Sequence, residues 1–423
     1  MARKMRDSGV EWIGEVPEGW EVNLIGTFYS QRSEKVSDTD YAPLSVTMKG
    51  VLPQLATVAK TDDGDNRKLV KKGDFAINSR SDRRGSCGIS EYDGSVSLIN
   101  TILMPRGEMD PRYYNWLFHT EAFADEFYKW GHGIVDDLWT TRWSEMKRIQ
   151  IVAPPLPEQR RIADYLDGKC AAINMAVDEL KRGIEDCKAW KKAIITEVTS
   201  VGLDHDVKLL QTELGWISNR PSYWKRNQLS SLCHRGITYG IVKLGEPCEN
   251  GVKVLRCSDV KDGYLDASNV RTVTPELSDE YKRTVLSGGE VIVNVRGTLG
   301  GCAIVPKEFS GANIAREVAL LDVEESKANP KFIMYTLLSS CFANYVGHEM
   351  AGAIYQGLNI ATLSKYSFYA PDIKEQQAIA DYLDEKCAAI DALVAEKEKF
   401  IVDLEAYKKS IIFELVTGKR EVA

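Results

Sequence analysis

Residues 158–173 read EQRRIADYLDGKCAAI, and residues 375–390 read EQQAIADYLDEKCAAI. Thirteen of the 16 aligned positions are identical, with no gap. The same offset of 217 residues carries on into Trp190-Lys191-Lys192-Ala193-Ile194-Ile195 and Tyr407-Lys408-Lys409-Ser410-Ile411-Ile412. A gapless repeat of this length is not composition bias. It makes the chain two halves that end in the same element, and this constrains the fold more than any other feature.

The repeated element has the spacing of a helix. Leu166, Cys170, Ile173, Val177, Leu180, Ile184 and Cys187 follow one another in alternating steps of three and four. The second copy continues the pattern through Leu383, Cys387, Ile390, Val394, Lys397, Ile401 and Leu404 to Lys408, Ile411 and Leu415. Such alternation over several heptads marks a coiled-coil seam, here interrupted by lysines. Prolines 154, 155 and 157 suit the start of the first helix. Asp372 followed by Glu375 reads as a capping box at the start of the second. Gly202 and Gly418 fall where a C-terminal glycine cap belongs. Each helix is therefore ~40 residues, or roughly 60 Å long. Neither can bury its seam alone, and the expected partner of each is the other, antiparallel, with a pseudo-twofold relation between the halves. The alternatives are that each helix packs on its own domain, or that both serve an intermolecular dimer.

Both halves share a plan ahead of the helix. Trp12-Ile13, Pro17 and Trp20 correspond to Trp216-Ile217, Pro221 and Trp224, a spacing that suits core anchoring. Short β-branched runs bounded by Gly, Asp, Asn or Pro predict strands at 44–48, 74–78, 87–92 and 96–104, then at 252–257, 290–295, 302–305 and 317–323. Asp110-Pro111 and Asn329-Pro330 each open one predicted helix. The predicted fold class is mixed α/β (α+β), with two domains and two long helices. The predicted boundaries are 1–153 and 204–370 for the domains and 154–203 and 371–423 for the helices.

Composition bounds the function. The 423 residues carry 54 Lys and Arg against 61 Asp and Glu, a net charge of −7 that argues against a nucleic-acid binder working alone. There is no run of 18 apolar residues, so no membrane association is expected. Nine cysteines without a CxxC pair read as free thiols of a cytoplasmic protein, and no metal site is expected. There is no GxxxxGK[ST] phosphate loop, no GxSxG elbow and no [ND]PP[YF] tetrapeptide of a base-amino methyltransferase. The chain reads as non-catalytic.

Two loops at equivalent positions remain. One runs from Asn78 to Gly88 and carries Arg80, Arg83 and Arg84. The other runs from Asn294 to Gly301 and carries Arg296 and Thr298. Glycines let backbone N–H groups approach a phosphate, and arginine grips phosphate or takes guanine O6 and N7. Alternatively they are glycine-rich turns with solvated arginines. Lesser candidates are residues 235–240, with Tyr239, and the lysine-rich stretch 60–72.

The Trp-Ile/Pro/Trp segment, the EQxxIAxYLD run and the KxxIIxE tail, each present twice around two dissimilar α/β domains, resemble the specificity (S) subunit of type I restriction–modification systems. The likeness covers the whole chain. It implies two target-recognition domains held apart by an antiparallel pair of long helices, each domain reading one half of a bipartite site in double-stranded DNA. By the same resemblance the helices would set the spacing and dock methyltransferase (M) subunits, two of them. No cofactor is then expected in this chain. S-adenosylmethionine would come with M, and ATP and Mg with a restriction (R) subunit. The competing readings are a single-chain restriction–modification enzyme and a coiled-coil protein-binding scaffold.

Overall fold

The structure is a computed structural model that describes residues 3–54, 64–80, 83–133, 139–297, 300–350 and 357–422. The chain divides into two compact units, residues 1–180 with 399–423, and residues 181–398. Both long helices are continuous, Leu156–Val201 and Ile373–Val416, so each unit takes half of each. Sequence periodicity marks where a helix begins and ends, whereas packing assigns its two halves to different units.

In the first unit, an antiparallel four-stranded sheet has the order Cys87–Ile89, Phe75–Asn78, Asn100–Pro105, Tyr29–Arg32. One face, with Tyr29, Phe75, Ile77, Cys87 and Leu103, packs on the helices. The other, with Ala76 and Ile102, packs with Leu44, Val51, Val70 and Val96 from smaller β elements. Strand alternation thus supplies two cores from one sheet. The second unit repeats the order with Cys302–Ile304, Val291–Asn294, Val318–Leu321 and Thr238–Tyr239. Its helix-facing core includes Val291, Val293, Cys302 and Ala319, and its outer core Ile292, Ala303, Val318 and Leu320.

The predicted seam is the inward face of both long helices. Leu166, Ile173, Val177, Ile184, Leu383 and Ile390 are buried. Leu180, Val394, Ile401 and Leu404 are half-buried. In the first unit Ile162, Ala163, Leu166 and Cys170 share a core with Ile411, Ile412, Leu415 and Val416. In the second, Ile195 and Val198 share one with Ile379, Leu383 and Cys387. The pairing is antiparallel within each unit. In the first, Lys408 Nζ donates to Asn174 Oδ1 at 2.7 Å, while Trp20 bridges Glu158 to Gly418 at the far end. In the second, Lys191 Nζ donates to both Asp391 oxygens at 2.7 Å, and Gly183 lies against Lys397. Two of the seam lysines, Lys191 and Lys408, are therefore satisfied across it. Lys191 and Lys408 are repeat equivalents, as are Asn174 and Asp391, so one polar contact occurs twice.

Each EQxxIAxYLD run docks a domain on its helix. Gln159 accepts from Asp110 N at 2.9 Å and donates to Pro154 O at 2.8 Å. Gln376 does the same with Asn329 N and Pro371 O, both at 2.9 Å. The glutamates take the tryptophan indoles, Trp20 to Glu158 at 2.9 Å and Trp224 to Glu375 at 3.2 Å. The final aspartates accept from Trp116 (Asp167) and Tyr335 (Asp384), at 2.8 and 2.7 Å. The capping box is therefore only half formed. Asp372 Oδ1 accepts from Glu375 N at 3.0 Å, but the Glu375 carboxylate is drawn to Trp224 and Tyr223 instead of returning to Asp372. Gly202 and Gly418 have the positive φ of a C-terminal cap, +83° and +74°.

Two expectations need correcting. The strand predicted at 96–104 is the end of Gly94–Val96 and, after a turn at Leu98 and Ile99, the separate strand Asn100–Pro105. The helix predicted after each Asx-Pro is two helices, Pro111–Phe118 with Glu121–Lys129, and Pro330–Leu338 with Ser340–Met350. The cause is a hydroxyl that competes with the ladder. Thr120 Oγ1 donates to Leu117 O and accepts from Phe123 N, and Ser339 Oγ makes the equivalent bonds to Thr336 O and Phe342 N.

Gln376→Leu strands a buried donor and a buried acceptor at once, each worth ~1–3 kcal/mol. The unfolding midpoint of the chain should fall by an amount matching several kcal/mol. An unchanged midpoint would show that the glutamine does not hold the domain to the helix.

Candidate nucleic-acid interface

The two arginine loops leave the same corner of the two sheets. In the first unit, Asn78 N donates to Ser86 O at 2.9 Å, closing the loop at its base. Asn78 Oδ1 accepts from Arg80 N at 3.1 Å, and Gly85 has φ +73°. The backbone is tied down further along. Tyr128 OH donates to Arg80 O at 2.8 Å, Thr141 N to Ser79 O at 3.0 Å, and Ser79 Oγ meets Thr101 Oγ1 at 2.9 Å. Arg80 is half-buried, while Arg83 and Arg84 are exposed. Arg84 is already engaged, pairing with Asp125 while its guanidinium lies 5.8 Å from the centre of the Tyr128 ring. Sequence reading could not see this, because Asp125 comes from a helix 41 residues further along the chain.

In the second unit, Asn294 N donates to Gly301 O at 2.7 Å, the same closure. Val295 N and Arg296 N both donate to Glu317 O, at 2.8 and 3.3 Å. Arg296 is exposed, bridges Gly357 through its backbone, and has no ion pair among the described residues. Thr298 lies outside the described residues, as does part of the 60–72 stretch. Tyr239 sits at this same corner, half exposed, opposite Ala319. Arg235 does not. It pairs with Asp322 at 3.1 Å toward the other end of the strand.

Sequence reading missed Arg316. It is exposed, directly ahead of the strand Val318–Leu321, and its N donates to Ile241 O at 2.9 Å. Strand pairing places Val318 opposite Asn294, which brings Arg316 beside the Arg296 loop. Only that register, not local sequence, identifies it. The equivalent position in the first unit is Leu98, since Asn100 pairs with Asn78. Below Arg316, one Glu317 carboxylate oxygen and the Asn294 side-chain oxygen are buried without a hydrogen-bond partner. A cleft toward the opposite end of this sheet is lined by Glu290, Asp322, Glu324 and Glu325, a poor setting for an anion.

Comparison with known proteins gives the corner a context. Residues 221–399 match the type I restriction modification DNA specificity domain. The MjaVIII specificity subunit of Methanocaldococcus jannaschii is 26% identical over 96% of this chain and 94% of its own length. The EcoBI specificity subunit of Escherichia coli is 24% identical over 63% of this chain, which spans only 57% of that relative. A chain from a structure of the type I R-M system, solved to explain complex assembly and conformational transition, superposes with a TM-score of 0.72 at 16% identity, covering 96% of this chain and 99% of that one. The HsdS subunit of Thermoanaerobacter tengcongensis gives 0.51 at 18% identity, covering 96% and 98%. Residues 221–399 thus carry that specificity domain, and the chain over nearly its whole length is similar to type I restriction enzyme specificity subunits. In this chain the duplicated frame is nearly the same in both units, while the loops at the equivalent corners differ in length and in the placement of arginine. Among the described residues no helix is long and apolar enough to cross a membrane, and no three His, Cys, Asp or Glu side chains are grouped to hold a metal ion.

Proposed function

We propose that this chain is the DNA sequence-recognition subunit of a type I restriction–modification complex, and that each unit reads one half of a bipartite double-stranded site. The observation that carries the reading is the equivalence of the two corners. Equivalent frames present different side chains, Arg80, Arg83 and Arg84 in one unit and Arg296, Arg316 and Tyr239 in the other. Different side chains in one geometry are what two different half-sites need. The chain performs no chemistry of its own. Methyl transfer belongs to two M subunits with S-adenosylmethionine, docked on the long helices, and ATP-driven cleavage to an R subunit. Docked partners also fit a net charge of −7, since the basic loops are local.

Mapping adenine methylation in cells that carry this chain with its M subunit tests the reading. One bipartite motif is expected, and replacing residues 1–153 by the equivalent domain of a relative should change one half only. Changes in both halves would refute independent reading, and the absence of any motif would remove the proposal altogether.

The arginines should not be equal. Arg296→Ala in the complex should weaken specific binding by ~1–3 kcal/mol if the contact is to a base. If the contact is to phosphate, binding should fall on all sequences and the salt slope should flatten by roughly one. Arg84→Ala should cost less, because Asp125 already balances that charge. Titrations at several salt concentrations decide it, and equal losses would mean that Arg84 leaves Asp125 for DNA.

The long helices would set the half-site spacing. Four residues inserted at Val177 add about one turn, ~6 Å, against ~3.4 Å per base pair. Because only one helix is lengthened, part of the change is absorbed, and a spacer longer by one or two base pairs is expected. An active variant with an unaltered spacer would dismiss the helices as a ruler.

A further inference from the structure

A single exposed apolar side chain means little on a protein surface. Two at equivalent places beside two equivalent basic loops mean more. In the first unit the hairpin Leu44–Thr47 and Gly50–Pro53 turns through Met48 and Lys49. Thr47 Oγ1 accepts from Lys49 N at 3.1 Å and donates to Gly50 O at 3.0 Å, and Gly50 has φ +103°. The turn is thereby fixed, Leu44 and Val51 anchor the hairpin in the outer core, and Met48 is left 72% exposed. The tip rests on the strand that leaves the arginine loop. A Cβ on Gly88 would lie 2.7 Å from Gly50 Cα, so only glycine permits the contact.

In the second unit Val260 and Leu265 bridge around a turn in which Lys261 N donates to Tyr264 O at 3.0 Å. Gly263, with φ +95°, donates its N–H to Cys302 O at 2.8 Å. Cys302 pairs with Val293 as Cys87 pairs with Ile77, so this turn meets the sheet next to where the Met48 hairpin meets its own. Val260 O also accepts from the Asn294 side chain at 3.1 Å, tying the turn to the base of the Arg296 loop. Tyr264 is 60% exposed. Each turn thus holds one large apolar side chain in solvent, on a tethered backbone, with a lysine beside it.

We propose that Met48 and Tyr264 are apolar probes that enter a base step of the half-site read by their own unit, with Lys49 and Lys261 on the flanking phosphates. Side chains of this kind unstack a step when inserted, and the neighbouring cations hold the backbone in place. The assignment rests on the DNA-recognition reading above and adds a specificity-determining residue to each unit.

The test uses the complex of this chain with its M subunits and a duplex carrying its mapped site. 2-Aminopurine is placed at single positions of each half-site, away from the adenine that is methylated. Wild-type complex should raise the fluorescence at one step per half-site. Met48→Ala should abolish the rise in one half only, Tyr264→Ala in the other only, each with about tenfold weaker binding. Met48→Leu and Tyr264→Phe should keep both signals, since apolar reach is retained. Both side chains are exposed, so unfolding midpoints should not move. Wild-type binding without any rise, or alanine variants that keep the rise and the affinity, would overturn the probes and leave sequence recognition standing. Failure of the wild-type complex to bind a bipartite site would overturn both.

Discussion

Each unit depends on one buried glutamine. Gln159 is 2% exposed and Gln376 3% exposed, and both side chains are fully engaged at the start of a long helix. The carboxamide closes two needs together, the amide at a domain helix start and the carbonyl of the proline before the long helix. A buried polar group is tolerated only when satisfied in this way, and once satisfied it fixes one geometry. The neighbouring glutamate reaches the other side of the domain through a tryptophan indole. The aspartate nine residues after each glutamate takes a hydrogen bond from the domain helix. Burial, with Asp384 accepting from its hydroxyl, pushes the Tyr335 phenol well up, so it stays the donor of that contact at any ordinary pH. The ten-residue motif is a set of three polar latches around an apolar stripe. Its repetition holds two dissimilar domains in one way.

The seam between the long helices uses the same economy. Leu, Ile, Val and Cys provide burial, and the lysines provide register. An isolated polar residue at a seam position costs stability and specifies alignment. Here the observed register gives Lys191 the Asp391 carboxylate and Lys408 the Asn174 carboxamide. The pair recurs at equivalent positions, as an ion pair in one unit and a hydrogen bond to an amide in the other, so both units align their helix halves in the same way.

Much of this was legible in the sequence because it is periodic or repeated. The seam and both glycine caps follow from spacing and from the 217-residue offset, and most of the predicted sheet strands from their β-branched runs, though the run 96–104 hid a turn at Leu98 and Ile99. What escaped was the work of side chains that act over long chain separations. Trp20 and Trp224 read as core anchors, but they are also donors to Glu158 and Glu375, 138 and 151 residues away. The break at Thr120 and Ser339 was hidden because the apolar pattern runs on in phase through both residues, and only the hydroxyl bonds separate the helices. Arg84 looked like its neighbour Arg83 until the fold placed Asp125 against it. Arg316 had no loop signature at all, and strand register alone puts it beside Arg296.

These two kinds of residue divide the molecule. The latches and the seam recur nearly unchanged, and their geometry leaves little freedom, since the buried glutamines and the indoles they neighbour are all hydrogen-bonded. The corner residues occupy loops whose ends are closed by the same asparagine backbone bond, Asn78 to Ser86 and Asn294 to Gly301, yet whose contents differ. Closing the ends isolates the contents. An exposed side chain exchanged between those ends, such as Arg83 or Arg296, alters what the corner presents and leaves the closing bonds in place. In the first unit Leu98 stands where the second has Arg316, and the sheet beneath is the same. A scaffold built this way varies its surface chemistry at the side chains that point outward, while the loop backbone stays tied to the frame through contacts such as Tyr128 with Arg80 and Thr141 with Ser79.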